Sequence, residues 1–566
     1  MLSIILLLAL LVQICTAHDS TRVRKFELTI KSALLNPDCS NQSYAGLVIN
    51  DQYPGPALHL VKNDIVQIKI RNDVGNNVSS SVHFHGIRQI NTNNADGVAA
   101  ITQLAVAPGE EYVQTFQVID QSGTFYYHAH VGVQDDTIQG PFVVHDSEEA
   151  LQKETHSGPY PYDGEFILQW AEWWHQSIYN REAYYLSPSF TADGGPDSVL
   201  LNGQSVYHKM ETIPKDCKGF TYFDVEPNKT YRLRIIGAVT YRVLGMFVKQ
   251  HNMTLIELDG EYVQPYDLDS LELHAGQRMS VLIHTGNYSA GTTFPIVTDY
   301  RWRSSNAGYT QSGYGFLRYV DPKQKTEAIT ILNKPLNQDL PALNATKLNV
   351  PSWVLPQVKP HAPGNPAILN GEAHHTIVLD MKEVIMPDNT TRFILNNRPY
   401  NPNRWGNATA SLYDFVTSDP DPGVLYPDGG SRKHHTYPVG LNQIVDFVFQ
   451  SHFLPTKPDL CVAHPWHTHG YSHYLIAEGS GDYVHERDKD IRTYTDPLYK
   501  DVSIAYPRIQ EGAVGCGWTK VRIFTDNPGV WAIHCHITAH MLQGKVTVLE
   551  VAGDLIGSTR RTFNLD

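Results

Sequence analysis

Apolar and polar residues alternate with a period of two in short runs along most of the chain. KFELTI, IVQIKI, YVQTFQV and TFYYHAHV come first, YRLRII and MSVLIHT lie in the middle, and IVDFVFQ, KVRIF and KVTVLEV follow towards the C-terminus. Successive side chains of a strand point to opposite faces, so each run predicts a strand with one buried face. Clusters of Gly, Pro, Asn and Asp separate the runs at the spacing of an all-β sandwich assembly, and no long segment carries apolar residues at helical spacing. The chain of 566 residues is long enough for three or four domains. Pro- and Asn-rich residues 321–370 predict a linker, and a weaker boundary falls near Asp146 to Tyr162. The expected division is residues 18–150, 160–320 and 371–566, each a β-sandwich domain.

Composition narrows the classes. A net charge of −14 repels phosphate backbones, which excludes nucleic acid as an expected partner. Residues 1–17, MLSIILLLALLVQICTA, form an apolar run ending in small residues, as a secretory signal peptide does, and nothing later in the sequence could span a bilayer. The expected location is therefore extracellular. Sequons at Asn41, Asn77, Asn228, Asn252, Asn287, Asn344, Asn389 and Asn407 fit a secreted glycoprotein. Cleavage removes Cys15 and leaves an odd set, Cys39, Cys217, Cys461, Cys516 and Cys535. In an oxidising compartment this predicts two disulfides, Cys39 with Cys217 and Cys461 with Cys516, and one thiol kept for another purpose. Cys535, between His534 and His536, is the candidate.

The 27 histidines change the picture most. A strand that reads His-X-His presents two imidazoles side by side, and imidazole is the commonest metal ligand. Chance placement gives about one such pair; four occur, at His83/His85, His128/His130, His467/His469 and His534/His536. They also stack as a repeat: GTFYYHAH, ending at His130, matches GVWAIHCH, ending at His536, and His83-Phe-His85-Gly86 matches His467-Thr-His469-Gly470. The first and last domains thus look like copies, with a middle domain that lacks the device.

Two more histidines extend the C-terminal clusters, His464 in HPWHTH and His540 in HCHITAH. One thiolate with two imidazoles is the donor set of a blue-copper site. With the four pairs assigned elsewhere, His464, Cys535 and His540 are what remains, and eight imidazoles suit a cluster of three coppers. Zinc is the alternative, but structural zinc prefers closed, cysteine-rich or four-ligand sites. Cys535 is bonded through the backbone to His534 and His536, which gives an electron a covalent route between the two sites.

The segments HFHG, HAH, HPWHTHG and HCHITAH resemble the four copper motifs of multicopper oxidases, over essentially the whole mature chain. The resemblance implies three cupredoxin-like Greek-key domains, four coppers, and one-electron oxidation of a small reductant coupled to reduction of O2 to water. It implies a type 1 copper on His464, Cys535 and His540, a type 2 copper on His83 and His467, and two type 3 coppers, one on His85, His128 and His536 and the other on His130, His469 and His534. Asp96, in Ala-Asp-Gly, resembles the family's acid near the type 2 copper. The segment WAEWWHQS, from Trp170, with Leu201-Asn202-Gly203, the stretch Tyr300-Arg-Trp-Arg303 and the Cys39–Cys217 pairing resemble ascorbate oxidases, in which the counterparts of Trp173 and Trp174 wall the reductant pocket. Glu172 and Leu542-Gln543-Gly544 instead resemble fungal ferroxidases, where the glutamate binds ferrous iron. The sequence shows no C-terminal anchor, unlike the membrane-tethered ferroxidases.

The expected function is a secreted laccase or ascorbate-oxidase-like enzyme acting on phenols or ascorbate-like reductants. A ferroxidase and a copper-poor cell-surface protein of the same fold are the alternatives. Three positions depart from the family pattern. Lys545 stands where the axial ligand of the type 1 copper is expected, which predicts a three-coordinate site with the lysine head turned away or neutralised. Thr538 replaces an acid, which puts the usual proton path in question, and Leu104 replaces a cysteine.

Overall fold

The computed structural model describes residues 22–153, 155, 157–210, 212–241, 243–302, 312–321, 353–399, 410–453, 460–507 and 515–563. The leader, most of the expected linker, Arg303 and the sequons at Asn344 and Asn407 lie outside the described residues. Every alternating run named above lies in or across a strand, and the longest described helix, Ile178–Leu186, has 9 residues. The chain is an all-β assembly of cupredoxin-like sandwiches.

Three pairs of sheets follow one another along the chain, and all three repeat one plan. In the first, Val23–Leu35 runs parallel to Ile65–Asn72, which pairs antiparallel with Glu111–Gln117. The facing sheet has the order Leu58–Val61, Gln139–His145, Gly123–Ala129, Val82–His85, its first two strands parallel. The second pair repeats the parallel contacts between Gly164–Trp173 and Thr230–Gly237 and between Thr221–Val225 and Tyr314–Tyr319. The third repeats them between His375–Ile385 and Ile444–Gln450 and between Tyr437–Val439 and Val546–Val551. Parallel partners distant in sequence, closed by antiparallel neighbours, give the Greek-key connection. The duplication legible in the histidine motifs therefore extends to the middle of the chain, where the strand plan is kept and the histidines are not.

The pairs are packed together. One apolar core runs from Leu168 and Leu233 of the middle pair to Phe447 and Leu549 of the last, and a smaller cluster joins Val98 and Ile101 to Leu412, Val530 and Val548. The described end of the expected linker is part of this packing: Leu355 and Val358 are buried in the core, and Arg522 donates to the carbonyls of Ile368, Leu369 and Gly371 around the short helix Pro366–Asn370. Disulfides join Cys39 to Cys217 and Cys461 to Cys516, as expected, while Leu104 is exposed.

Candidate metal centre

Two strands of the last pair carry residues of both parts of the site. His464–Thr468 and Gly529–Cys535 run antiparallel, with Trp466 opposite Cys535 and His467 opposite His534. Residues directly opposite share a face and neighbours along a strand do not. His464, Trp466 and Cys535 therefore face one side, and His467 and His534 the other.

On the first side, Cys535 Sγ lies 3.7 Å from His464 Nδ1 and 3.7 Å from His540 Nδ1. It is fully buried and, among the described residues, is the cysteine outside the two disulfides. His540 comes from the short helix Thr538–Leu542, packs on Phe393 and is the partly exposed member of the three. Lys545 brackets the site through its backbone: its N–H donates to the carbonyl of His540 and its carbonyl accepts from Cys535 N–H. Its side chain is buried over aromatic rings, with Nζ 4.7 Å from the centroid of Phe393 and 5.8 Å from that of Trp466. Burial pushes its pKa down to about 8, against the pull of Cys535 and Glu383.

On the second side, strands from the first and last pairs meet. His83 lies opposite His128 across the strands Val82–His85 and Gly123–Ala129. The His85 ring stacks on His467 at 3.7 Å between centroids, and the His83 ring lies 4.1 Å from His469. Ligand atoms of His85, His128 and His536 converge, as do those of His130, His469 and His534, and His83 adjoins His467. Each of these triads draws on both ends of the chain.

The outward nitrogens fix the rings. His83 Nδ1 donates to the carbonyl of Asp96, His128 Nδ1 to that of Ala129, His467 Nδ1 to that of Asp501 and His534 Nδ1 to that of Cys535. A carbonyl can only accept, so these nitrogens carry the proton and the opposite Nε2 offers a lone pair to the centre. His85 is reversed: its Nε2 meets Asp501 Oδ1 at 3.1 Å and its Nδ1 faces inward, 3.2 Å from His536 Nε2. Asp96 spans the two ends, its carbonyl on His83 and its Oδ2 on His469 Nδ1 at 3.0 Å. Gly97, at φ +86°, has to be glycine, because a Cβ would lie 1.9 Å from the carbonyl of Val82, and this fixes the Ala-Asp-Gly turn.

The donor set fits copper. Among the described residues, Nε2 of His83, His128 and His467 is buried with no hydrogen-bond partner, and His534 Nε2 faces His469 Nε2 at 3.1 Å. Buried imidazole nitrogens that converge without hydrogen-bond partners call for a shared cation. Burial and the neighbouring imidazoles hold His85, His130, His467, His469 and His536 well below the ordinary histidine pKa, and burial holds His534 at about 4. The neutral form is the one that ligates.

The middle pair, without a histidine in the cluster, walls it from behind. A Cβ on Gly276 would lie 2.7 Å from His536 Cδ2 and 2.8 Å from His85 Cε1. Arg278 donates to both oxygens of Asp501, at 2.6 Å each, and so fixes the carboxylate that holds His85. Burial alone would lower the pKa of Arg278, but Asp501 and Asp259 hold it above its ordinary value. Arg278 and Asp501 carry no sequence signal, since the contact joins residues 223 apart.

Glu172 is buried, and its Oε2 accepts from the backbone N–H of Thr240 and Tyr241 at 3.0 and 2.8 Å. Trp173 is buried near Tyr44 and Tyr53, and Trp174 lies 3.4 Å beneath the Arg181 guanidinium. Thr538 N–H donates to the carbonyl of Thr240, and its hydroxyl hydrogen-bonds Asp135.

Profiles described as multicopper oxidase match residues 29–149, 164–322 and 388–554. The chain belongs to the multicopper oxidase family. It is a copper-dependent oxidoreductase that uses a reductant and O2, in a family that carries four coppers of types 1, 2 and 3. It is 28% identical to an L-ascorbate oxidase of Cucurbita maxima, over 96% of this chain and 92% of that protein. To laccase-like multicopper oxidase 1 of Thermothelomyces thermophilus it is 27% identical, over 95% and 88%. Its fold is that of Fet3p, described as a multicopper oxidase that functions in iron import, with a TM-score of 0.73 at 23% identity over 96% of this chain and 93% of that one. It is also that of the laccase from Botrytis aclada, at 0.71 and 21% over 96% and 89%. Among the described residues no helix is long and apolar enough to cross a membrane.

Proposed function

We propose that the protein is a secreted oxidase that takes single electrons from phenols or ascorbate-like reductants on the His464, Cys535 and His540 side and passes them to O2 at the eight-histidine side. The observation that carries this reading is the strand Gly529–Cys535, which turns Cys535 to one face and His534 to the other. In this reading the type 1 copper is held by His464, Cys535 and His540, and the type 2 copper by His83 and His467. The type 3 coppers are held by His85, His128 and His536 and by His130, His469 and His534. Bound there, copper supplies one-electron storage and the reduction of O2. The chain's own contribution is position: His540 offers the accessible imidazole edge to a reductant, Asp96 and Asp501 aim the rings, and the backbone of residues 534–536 joins the two sides. Secretion rests on the leader-like residues 1–17.

Ferrous iron is the second candidate reductant, through the likeness of Glu172 to a ferroxidase glutamate. The commitment of its Oε2 to two backbone N–H groups favours the organic reductants instead. Oxygen uptake measured with ascorbate, a methoxyphenol, a catechol and ferrous iron is expected to be faster with the organic compounds. Glu172→Ala is expected to slow all four together, because it loosens the turn at Thr240; selective loss of iron oxidation would return the ferroxidase reading. The complete donor set favours four coppers per chain by elemental analysis over a copper-poor protein.

The buried Lys545 predicts a tuned potential. An ammonium near a type 1 copper disfavours its more positive oxidation state, and no thioether stands at that position. Lys545→Met is expected to lower the midpoint in a redox titration of the blue band. An unchanged midpoint would remove Lys545 from the groups that tune the site.

A further inference from the structure

Reduction of O2 to two waters consumes four electrons and four protons. Electrons have a route through Cys535, but the histidines of the cluster are all buried, so protons need a carrier of their own. Three carboxyl groups lie close by. Asp96 is engaged with His83 and His469, and Asp501 is held by Arg278 through both oxygens. The third is Asp135, on the turn Gln134–Asp136 shortly after His130, buried like the others.

Asp135 differs in its partners. Its Oδ2 accepts from the hydroxyl of Thr538, the residue that lies between His536 and His540; its Oδ1, like that of Asp96, is buried with no hydrogen-bond partner among the described residues. Thr538 is held in turn: its N–H donates to the carbonyl of Thr240, in the turn that Glu172 pins. We propose that Asp135, acting through the Thr538 hydroxyl, delivers protons to oxygen reduction at the eight-histidine cluster, so that a carboxyl from the first sheet pair does what an acid at position 538 would do. The proposal rests on the assignment of those histidines to the oxygen-reducing coppers.

In the step, the O–H bond of the Asp135 carboxyl breaks as its proton passes to Thr538 Oγ1. The hydroxyl proton of Thr538 passes to the oxygen under reduction, and Asp135, left as a carboxylate, regains a proton from solvent. The electrons come from the reductant. A hydroxyl both donates and accepts, so it can relay in this way, and the present arrangement, with Thr538 donating to Asp135, is the one that follows delivery.

Burial pushes the pKa of Asp135 up to about 7, against the Thr538 hydrogen bond and Arg181. The other charged or titratable groups around it are Asp136, paired with Arg181 and bonded to Thr240 Oγ1, Tyr126 on the strand Gly123–Ala129, Glu172 on Gly164–Trp173, and Glu182 on the helix of Arg181. A donor with a pKa near 7 is half loaded at neutral pH, the condition under which a general acid works best.

The test uses the copper-loaded full chain, reduced without oxygen and then mixed with O2 on both sides of pH ~7, in H2O and in D2O. The wild-type reoxidation rate is expected to fall as pH rises through about 7. Asp135→Asn and Thr538→Val are each expected to slow reoxidation about 100-fold and to remove that limb and the solvent isotope effect, while anaerobic reduction of the blue site proceeds at the wild-type rate. Thr538→Glu placed on Asp135→Asn restores a carboxyl beside the cluster and is expected to recover a pH-dependent limb. If Asp135→Asn keeps its copper and reoxidises with the wild-type rate, pH profile and isotope effect, the proposal fails; should that variant not fold, the same outcome in Thr538→Val is decisive. A wild type whose reduced form O2 does not reoxidise overturns the cluster assignment itself, and the proposal with it.

Discussion

Cys535→Ser is expected to yield a folded, copper-containing protein that has lost its blue colour and turns over with O2 about 10³-fold more slowly or worse, the scale on which one group of an interdependent set registers. Serine fills nearly the volume of cysteine, so the buried position among Trp466, His464 and His540 is kept. What goes is the thiol beside His464 and His540, which on the proposed function is both the colour-giving donor and the covalent entry to His534 and His536. Absorbance, elemental copper and oxygen uptake on one preparation check this. A variant that stays blue, or that oxidises phenols at the wild-type rate, would remove Cys535 from the electron route.

The second large effect is expected at a carboxylate. Asp501→Asn keeps the shape of the side chain but leaves the Arg278 guanidinium, fully buried, without the carboxylate that meets it twice at 2.6 Å. Breaking a buried ion pair from one side costs about 3 to 5 kcal/mol, and Asp259, 3.7 Å from Arg278, offsets part of that. The same substitution weakens the acceptor that orients His85, and losses of this kind lower metal affinity about 10- to 100-fold. Denaturant unfolding of the copper-free protein measures the first effect, and copper retained during dialysis against a chelator measures the second. Wild-type values in both would show that the middle sheet pair does not support the cluster.

The residues behind these two effects differ in how visible they are. Cys535 stands out in the sequence because the strand period fixes which neighbours share a face, and a lone thiol between two histidines has few other uses. The four His-X-His pairs are legible for the same reason, as are the alternating runs that became strands. Arg278, Asp501 and Asp135 are not, because what makes them matter is a meeting between segments hundreds of residues apart, and an Asp or Arg in a strand or turn has no local pattern that separates a buried partner from a solvated one. Glu172, Trp173 and Trp174 fall between: their motif is legible, but whether a carboxylate faces a ligand or two backbone N–H groups depends on the path of the Thr240 turn. The middle β-sandwich is expected from its alternating runs and from the family resemblance; what the sequence does not display is that its strand plan repeats that of its neighbours, since it lacks their histidine motif.

The antiparallel register of His464–Thr468 against Gly529–Cys535 has a further consequence. A strand has two sides, and on the proposed function they would be the two terminals of a circuit: reductant on one, oxygen on the other, with a single peptide segment as the conductor through the sheet. Its polarity is set by whether a residue number is odd or even. A slip of one position would put the sulfur among the imidazoles and turn His534 towards the reductant, a reversal that no side-chain substitution could repair. The hydrogen-bond ladder that gives the sheet its stability therefore also fixes the direction in which current can flow.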